Sequence, residues 1–136
     1  MIELKIDSEQ KMLELGGRLV KSFSVGDIVL LEGELGAGKT TLIRGMLHEL
    51  GWLDSVRSPT FNLFSVYSTD PPVLHADFYR VTSTVGTGIE DYLDTHLCLI
   101  EWPKALHELI DLNASKRIQI FIEGDARRVQ LSNISL

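Results

Sequence analysis

Cysteine is almost missing from this chain: Cys98 stands alone among 136 residues. One thiol excludes an internal disulfide and any cysteine-based metal cluster. Its setting in Leu97-Cys98-Leu99-Ile100 marks it as a small buried hydrophobe rather than a nucleophile. Basic charge is scarce as well, with 13 lysines and arginines against 19 acids and a net charge of −6. A protein that grips nucleic acid by itself usually presents a basic face, so any RNA or DNA contact is expected to run through a partner. Long apolar runs are missing: the longest covers a few residues, far short of the ~20 that cross a bilayer. Met1-Ile2-Glu3-Leu4-Lys5 lacks the apolar core of a signal peptide. These absences point to a cytoplasmic protein with no membrane segment. With no repeat and no low-complexity stretch, one domain over residues 1–136 is expected.

What the chain does hold is a phosphate-binding loop. Gly33-Glu34-Leu35-Gly36-Ala37-Gly38-Lys39-Thr40 fits G-x-x-x-x-G-K-[ST] at every fixed position. The glycines let the backbone turn tightly and aim N–H groups at a phosphate. Lys39 brings a mobile charge, and Thr40 a hydroxyl for Mg²⁺. The apolar run Asp27-Ile28-Val29-Leu30-Leu31-Glu32 before the loop reads as a buried strand. Ile43, Met46, Leu47 and Leu50 after it fall at helical spacing, closed by Gly51. Strand, loop and helix thus follow in the order the motif demands. Leu35, Gly36, Ala37, Gly38, Lys39, Thr40 and Thr41 are expected to cradle a nucleoside triphosphate on the positive end of that helix.

Elsewhere the pattern predicts a strand at 3–7 and a helix capped by Ser8 and running to about residue 22. Strands are expected at 60–67, 73–77 and 96–102, with a short helical turn at 89–93. Pro103 opens a helix to about residue 110. The alternation at 117–123 and the stretch 128–134 read as two strands joined by Gly124-Asp125, which must therefore be antiparallel.

A bound triphosphate carries Mg²⁺, which takes oxygen ligands and usually one or two carboxylates. Ligands of open α/β sheets lie beyond the carboxyl ends of the strands. Two acids stand at such ends. Asp77 closes Val73-Leu74-His75-Ala76, and Glu101 closes Leu97-Cys98-Leu99-Ile100. Both are candidates for the metal or for the attacking water, and the sequence leaves open which does which. Ser58-Pro59-Thr60 lies where nucleotidases of this kind place a threonine that senses the γ-phosphate. A plain turn before a strand is the other reading.

Four segments stand together in one order: the phosphate loop, Ser58-Pro59-Thr60-Phe61, His75-Ala76-Asp77-Phe78-Tyr79-Arg80, and Glu101-Trp102-Pro103. This set closely resembles the TsaE (YjeE) family of small bacterial ATPases, from about residue 8 to 128. Gly88-Ile89-Glu90-Asp91-Tyr92 is similar to a further segment of that family. The resemblance implies an ATPase that supports formation of threonylcarbamoyladenosine in tRNA beside the TsaD and TsaB proteins, with the transfer chemistry left to TsaD. It implies that Lys39 contacts phosphate, that Thr40 and Glu101 ligate Mg²⁺, and that Asp77 orients or deprotonates the attacking water. Thr60 would be the switch residue, and Glu9 matches a family position near the nucleotide. The choice of ATP rests on the resemblance, since no motif here reads adenine. Two departures stand out: the stretch 82–87 lacks the family's acidic, leucine-bearing helix, and Ala76 replaces a frequent aromatic.

The expected fold is α/β of the three-layer P-loop NTPase type. Its sheet is mixed and mainly parallel, flanked by helices, with antiparallel strands at the C-terminal end. Two rival functions share the loop: a small-molecule kinase, and a non-hydrolysing ATP-gated binding module.

Overall fold

A computed structural model describes residues 1–56 and 63–136. In chain order these form β1 (Ile2–Ile6), α1 (Glu9–Val20), β2 (Ile28–Gly33), α2 (Lys39–Glu49), β3 (Phe64–Tyr67) and β4 (Val73–Asp77). A 3₁₀ turn at Ile89–Asp91, β5 (Leu97–Glu101), a 3₁₀ helix at Pro103–Glu108, β6 (Lys116–Glu123) and β7 (Ala126–Ser132) complete them. Among the described residues no helix is long and apolar enough to cross a membrane.

The strands form one seven-stranded sheet in the order β1-β7-β6-β2-β5-β4-β3. Its centre is parallel, β2 pairing with both β6 and β5, and β5 with β4. Both flanks are antiparallel, β3 on β4 at one side and β6-β7-β1 at the other. This is the mixed architecture expected from the sequence. The central strands bury both faces, as parallel strands do. Val29, Leu31, Leu97 and Leu99 enter one core, and Leu30, Cys98, Ile100 and Leu74 enter the other. The period of two along each strand makes that division.

The first core lies under α1 and α2. Ser8 caps α1, its side chain accepting the Lys11 backbone N–H at 3.1 Å, and Met12, Leu15, Leu19 and Val20 face inward. The two helices meet backbone to backbone. A Cβ added at Gly16 would lie 2.3 Å from the Leu42 carbonyl oxygen, and one at Gly45 would lie 2.2 Å from that of Leu13. The second core is covered by the two 3₁₀ segments, with Ile89, Ala105 and Leu106 buried in it. The helix expected from Pro103 to about residue 110 is thus a 3₁₀ helix ending at Glu108. Proline starts it well, but too few residues follow to sustain α-helical bonding. The last strand begins at Ala126, two residues before the expected 128, because the Gly124-Asp125 turn leaves Ala126 already opposite Glu123. Gly124 has φ +61°, which suits so tight a hairpin. Of the strand expected at 60–67, Phe64–Tyr67 is present, and residues 60–62 lie outside the described part.

The glycine contacts yield a paired test. Gly45→Ala should destabilise the fold by about 1–3 kcal/mol, since the backbone of α1 must be displaced. Gly17→Ala, whose Cβ would find only ordinary contact at 3.7 Å, should instead stabilise α1 by about 0.5–1 kcal/mol. Urea denaturation of the two variants checks the contrast.

Candidate nucleotide and metal site

Because β2, β5 and β4 run parallel, their carboxyl ends lie side by side. Leu31 is in register with Glu101, and Glu101 with Asp77. The period of two decides which way the acids face. Leu97, Leu99 and Glu101 alternate with Cys98 and Ile100, and Val73, His75 and Asp77 alternate with Leu74 and Ala76. Val73, Leu97 and Leu99 belong to the core under α2, so Glu101 and Asp77 emerge on the side of the phosphate loop.

The loop leaves β2 at Gly33 and enters α2 at Lys39. Gly36 and Gly38 take φ +80° and +114°, a region costly for side-chain-bearing residues. Gly38 is the N-cap and offers no side-chain capping bond. The amide donors of the first turn of α2 therefore fit an anion. Arg127, from β7, donates to the carbonyls of Ala37 at 3.1 Å and Gly36 at 3.4 Å. Lys39 folds back over the loop: its Nζ donates to the Gly33 carbonyl and, at 3.4 Å, to that of Glu34. The same Nζ lies 3.7 Å from the centroid of the Trp102 ring, a cation–π arrangement. Trp102 holds φ +55° just after β5 and packs on Tyr79 at 4.8 Å between ring centroids.

A cleft of about 260 Å³ gathers most of the predicted residues, Leu35, Gly36, Ala37, Gly38, Lys39, Thr40 and Thr41 from loop and helix with Asp77 and Glu101 opposite, and adds Trp102, which was not predicted for it. Thr40 Oγ1 lies 3.3 and 3.4 Å from the two Glu101 carboxylate oxygens. A hydroxyl and a carboxylate held together make a hard-oxygen donor set of the kind Mg²⁺ takes. Asp77 is set beside them, and its Oδ1 accepts the Tyr79 backbone N–H at 2.9 Å. Burial pushes the Asp77 carboxyl above its ordinary pKa and Glu101 adds to the rise, against the Tyr79 bond, His75 and Lys39. Burial also lowers the Lys39 pKa, outweighing the attraction of Glu101 and Asp77.

Glu9 is placed apart from this cleft. It lines a neighbouring one of about 310 Å³ with Gly36, Ala37, Gly38 and Thr41, and its carboxylate pairs with Arg44 at 2.5 Å. Thr60 lies outside the described residues. Two further residues join the site without having been predicted for it. His75 is fully buried with Nε2 2.6 Å from Glu101 Oε2. Its position two residues before Asp77 on the same strand face was the available signal. Arg127 carried no such signal, because only the sheet order brings β7 to the loop.

Residues 6–130 match the family model described as "Threonylcarbamoyl adenosine biosynthesis protein TsaE". A tRNA threonylcarbamoyladenosine biosynthesis protein TsaE of Streptomyces coelicolor is 43% identical over 127 residues, covering 88% of this chain and 86% of the relative. Its counterpart in Haemophilus influenzae is 38% identical over 109 residues, covering 76% of this chain and 68% of the relative. The crystal structure of Bacillus subtilis YdiB superposes with a TM-score of 0.80 at 26% identity, covering 98% of this chain and 86% of that one.

The raised Asp77 pKa has a signed consequence for stability. Below the ordinary carboxylate range, folded and unfolded chains both hold the proton, and nothing is lost. As pH climbs through the unfolded and then the folded pKa, ionisation is harder in the fold and stability falls. Asp77→Asn keeps the oxygen that accepts from Tyr79 and removes that charge. Without nucleotide it should melt higher than the native chain at neutral pH, and no higher at about pH 3. Thermal melts at the two pH values check this.

Proposed function

The chain belongs to the TsaE family, and from that premise we propose that it binds Mg²⁺-ATP, hydrolyses it, and thereby supports formation of threonylcarbamoyladenosine in tRNA together with TsaD and TsaB partners. The observation that carries the reading is the convergence of Thr40, Glu101 and Asp77 on one cleft walled by the phosphate loop. The setting would be the cytoplasm, and the acidic balance of the chain suits an accessory that reaches tRNA only through its partners.

In this reading the amides of the loop and of the first turn of α2 hold the phosphates. Lys39 leaves the Gly33 carbonyl and the Trp102 face to meet them. Thr40 and Glu101 would hold Mg²⁺, which when bound supplies charge neutralisation across the phosphate oxygens. Asp77 orients a water for in-line attack on the γ-phosphorus and takes its proton. The bond to the β–γ bridging oxygen breaks, leaving ADP and phosphate. Partial burial of Asp77 favours the proton transfer, because a raised pKa makes a carboxylate a better base near neutral pH. Arg127 is engaged with the loop carbonyls, so hydrolysis by the isolated chain should be slow until a partner acts.

One feature favours a kinase as the second reading. A largely apolar groove of about 1040 Å³ adjoins the loop at Gly33 and Glu34, lined among others by Phe78, Tyr79, Trp102 and Leu112. ADP formation that depends on an added nucleoside or sugar would support it.

Lys39→Ala should weaken ATP binding about 10–100-fold, the equivalent of one charge-assisted bond, as read by calorimetry. The deciding experiment measures Mg²⁺-dependent ATP hydrolysis by the purified chain, alone and with TsaD and TsaB. A slow rate that rises with the partners supports the accessory ATPase. ATP binding with hydrolysis indifferent to the partners overturns it.

A further inference from the structure

We infer that His75 is a positioning residue for Glu101, its Nε2–H holding Oε2 so that the carboxylate stays turned toward Thr40. This rests on the reading of Thr40 and Glu101 as the Mg²⁺ donors, and it adds a residue which that reading does not require.

The placement follows from the register. His75 is opposite Leu99, and Asp77 is opposite Glu101, so His75 and Glu101 are diagonal neighbours on one face of a parallel pair. Such neighbours are within reach of a long side chain. The two groups meet at 2.6 Å, with side-chain exposures of 0% and 3%. Packing alone does not call for an imidazole here. The flanking strand positions on that face, Val73, Leu97 and Leu99, are apolar and fully buried, and an apolar residue would fill the space.

The second ring nitrogen sets the direction of the bond. Nδ1 is buried and has no hydrogen-bond partner among the described residues. A buried N–H without an acceptor is costly, and a bare lone pair less so. The ring proton therefore sits on Nε2, and the imidazole donates to the carboxylate. Thr40 approaches the same carboxylate from α2, so Glu101 is gripped from the sheet and from the helix. A glutamate has three rotatable side-chain bonds, and a metal ligand must be held within about 0.5 Å to work. Ligating carboxylates are commonly fixed by outer hydrogen bonds for this reason.

The test is the factor by which Mg²⁺ tightens ATP binding, measured by calorimetry with Mg²⁺ and again with EDTA. His75→Phe keeps a ring and removes the donor. It should lower the Mg²⁺ effect about 10–100-fold while binding in EDTA stays within about twofold of the native chain. His75→Gln, whose amide nitrogen reaches about as far as Nε2, should restore most of the effect. His75→Asn, whose amide nitrogen falls near the Nδ1 position, should not. Should His75→Phe fail to fold, the contrast of Gln with Asn decides. An unchanged Mg²⁺ effect in His75→Phe, or equal behaviour of Gln and Asn, overturns the inference. A merely structural role would lower ATP binding in EDTA equally, which also overturns it. A native chain that binds no ATP would end the functional reading itself, an outcome distinct from these.

Discussion

The parallel pairing of β2, β5 and β4 governs where chemistry can take place in this molecule. Parallel neighbours deliver their carboxyl ends at one level, so a loop leaving β2 and acids closing β4 and β5 are brought together without any long-range adjustment. The period of two then turns Glu101 and Asp77 toward the loop rather than into the second core. A slip of one residue in either strand would send its acid to the opposite face. The apolar residues that fix the register, Leu99 and Ile100 on β5 and Leu74 and Ala76 on β4, are therefore as necessary to the site as the acids are.

The charged groups of the cleft meet one another and the loop itself. Lys39 meets carbonyls of its own loop and the face of Trp102, while burial holds its pKa down. Asp77 sits partly desolvated beside Glu101 and His75. One cation and two carboxylates are thus gathered in a half-buried cleft. In the proposed reading, a phosphate and a divalent ion would bring the complementary charges.

Much of this was legible in the chain. The loop motif with its flanking strand and helix located one wall of the cleft, and an acid closing each of two apolar runs located the opposing wall. These signals are local, and parallel topology carried them into space unchanged. Other features were hidden because they depend on pairing between distant segments. Arg127 reaches the loop only because β7 follows β6 back across the sheet. The hydrogen bond from His75 to Glu101 required knowing that β4 and β5 are neighbours in one register. The short helix after Pro103 was overextended for a different reason: proline marked its start, but the segment is too short to settle into the α form.

The bare contact between α1 and α2 has a mechanical meaning. With glycine at Gly16 and Gly45, each backbone rests directly against carbonyls of the other, and no side chain lies between to absorb a shift. The two helices therefore sit in direct main-chain contact at these points. The first begins at Ser8 and Glu9, beside one cleft, and the second begins at Lys39 and Thr40, within the other. The spacing between the starts of the two helices, and so between the two clefts, is therefore set by main-chain contact rather than by side chains.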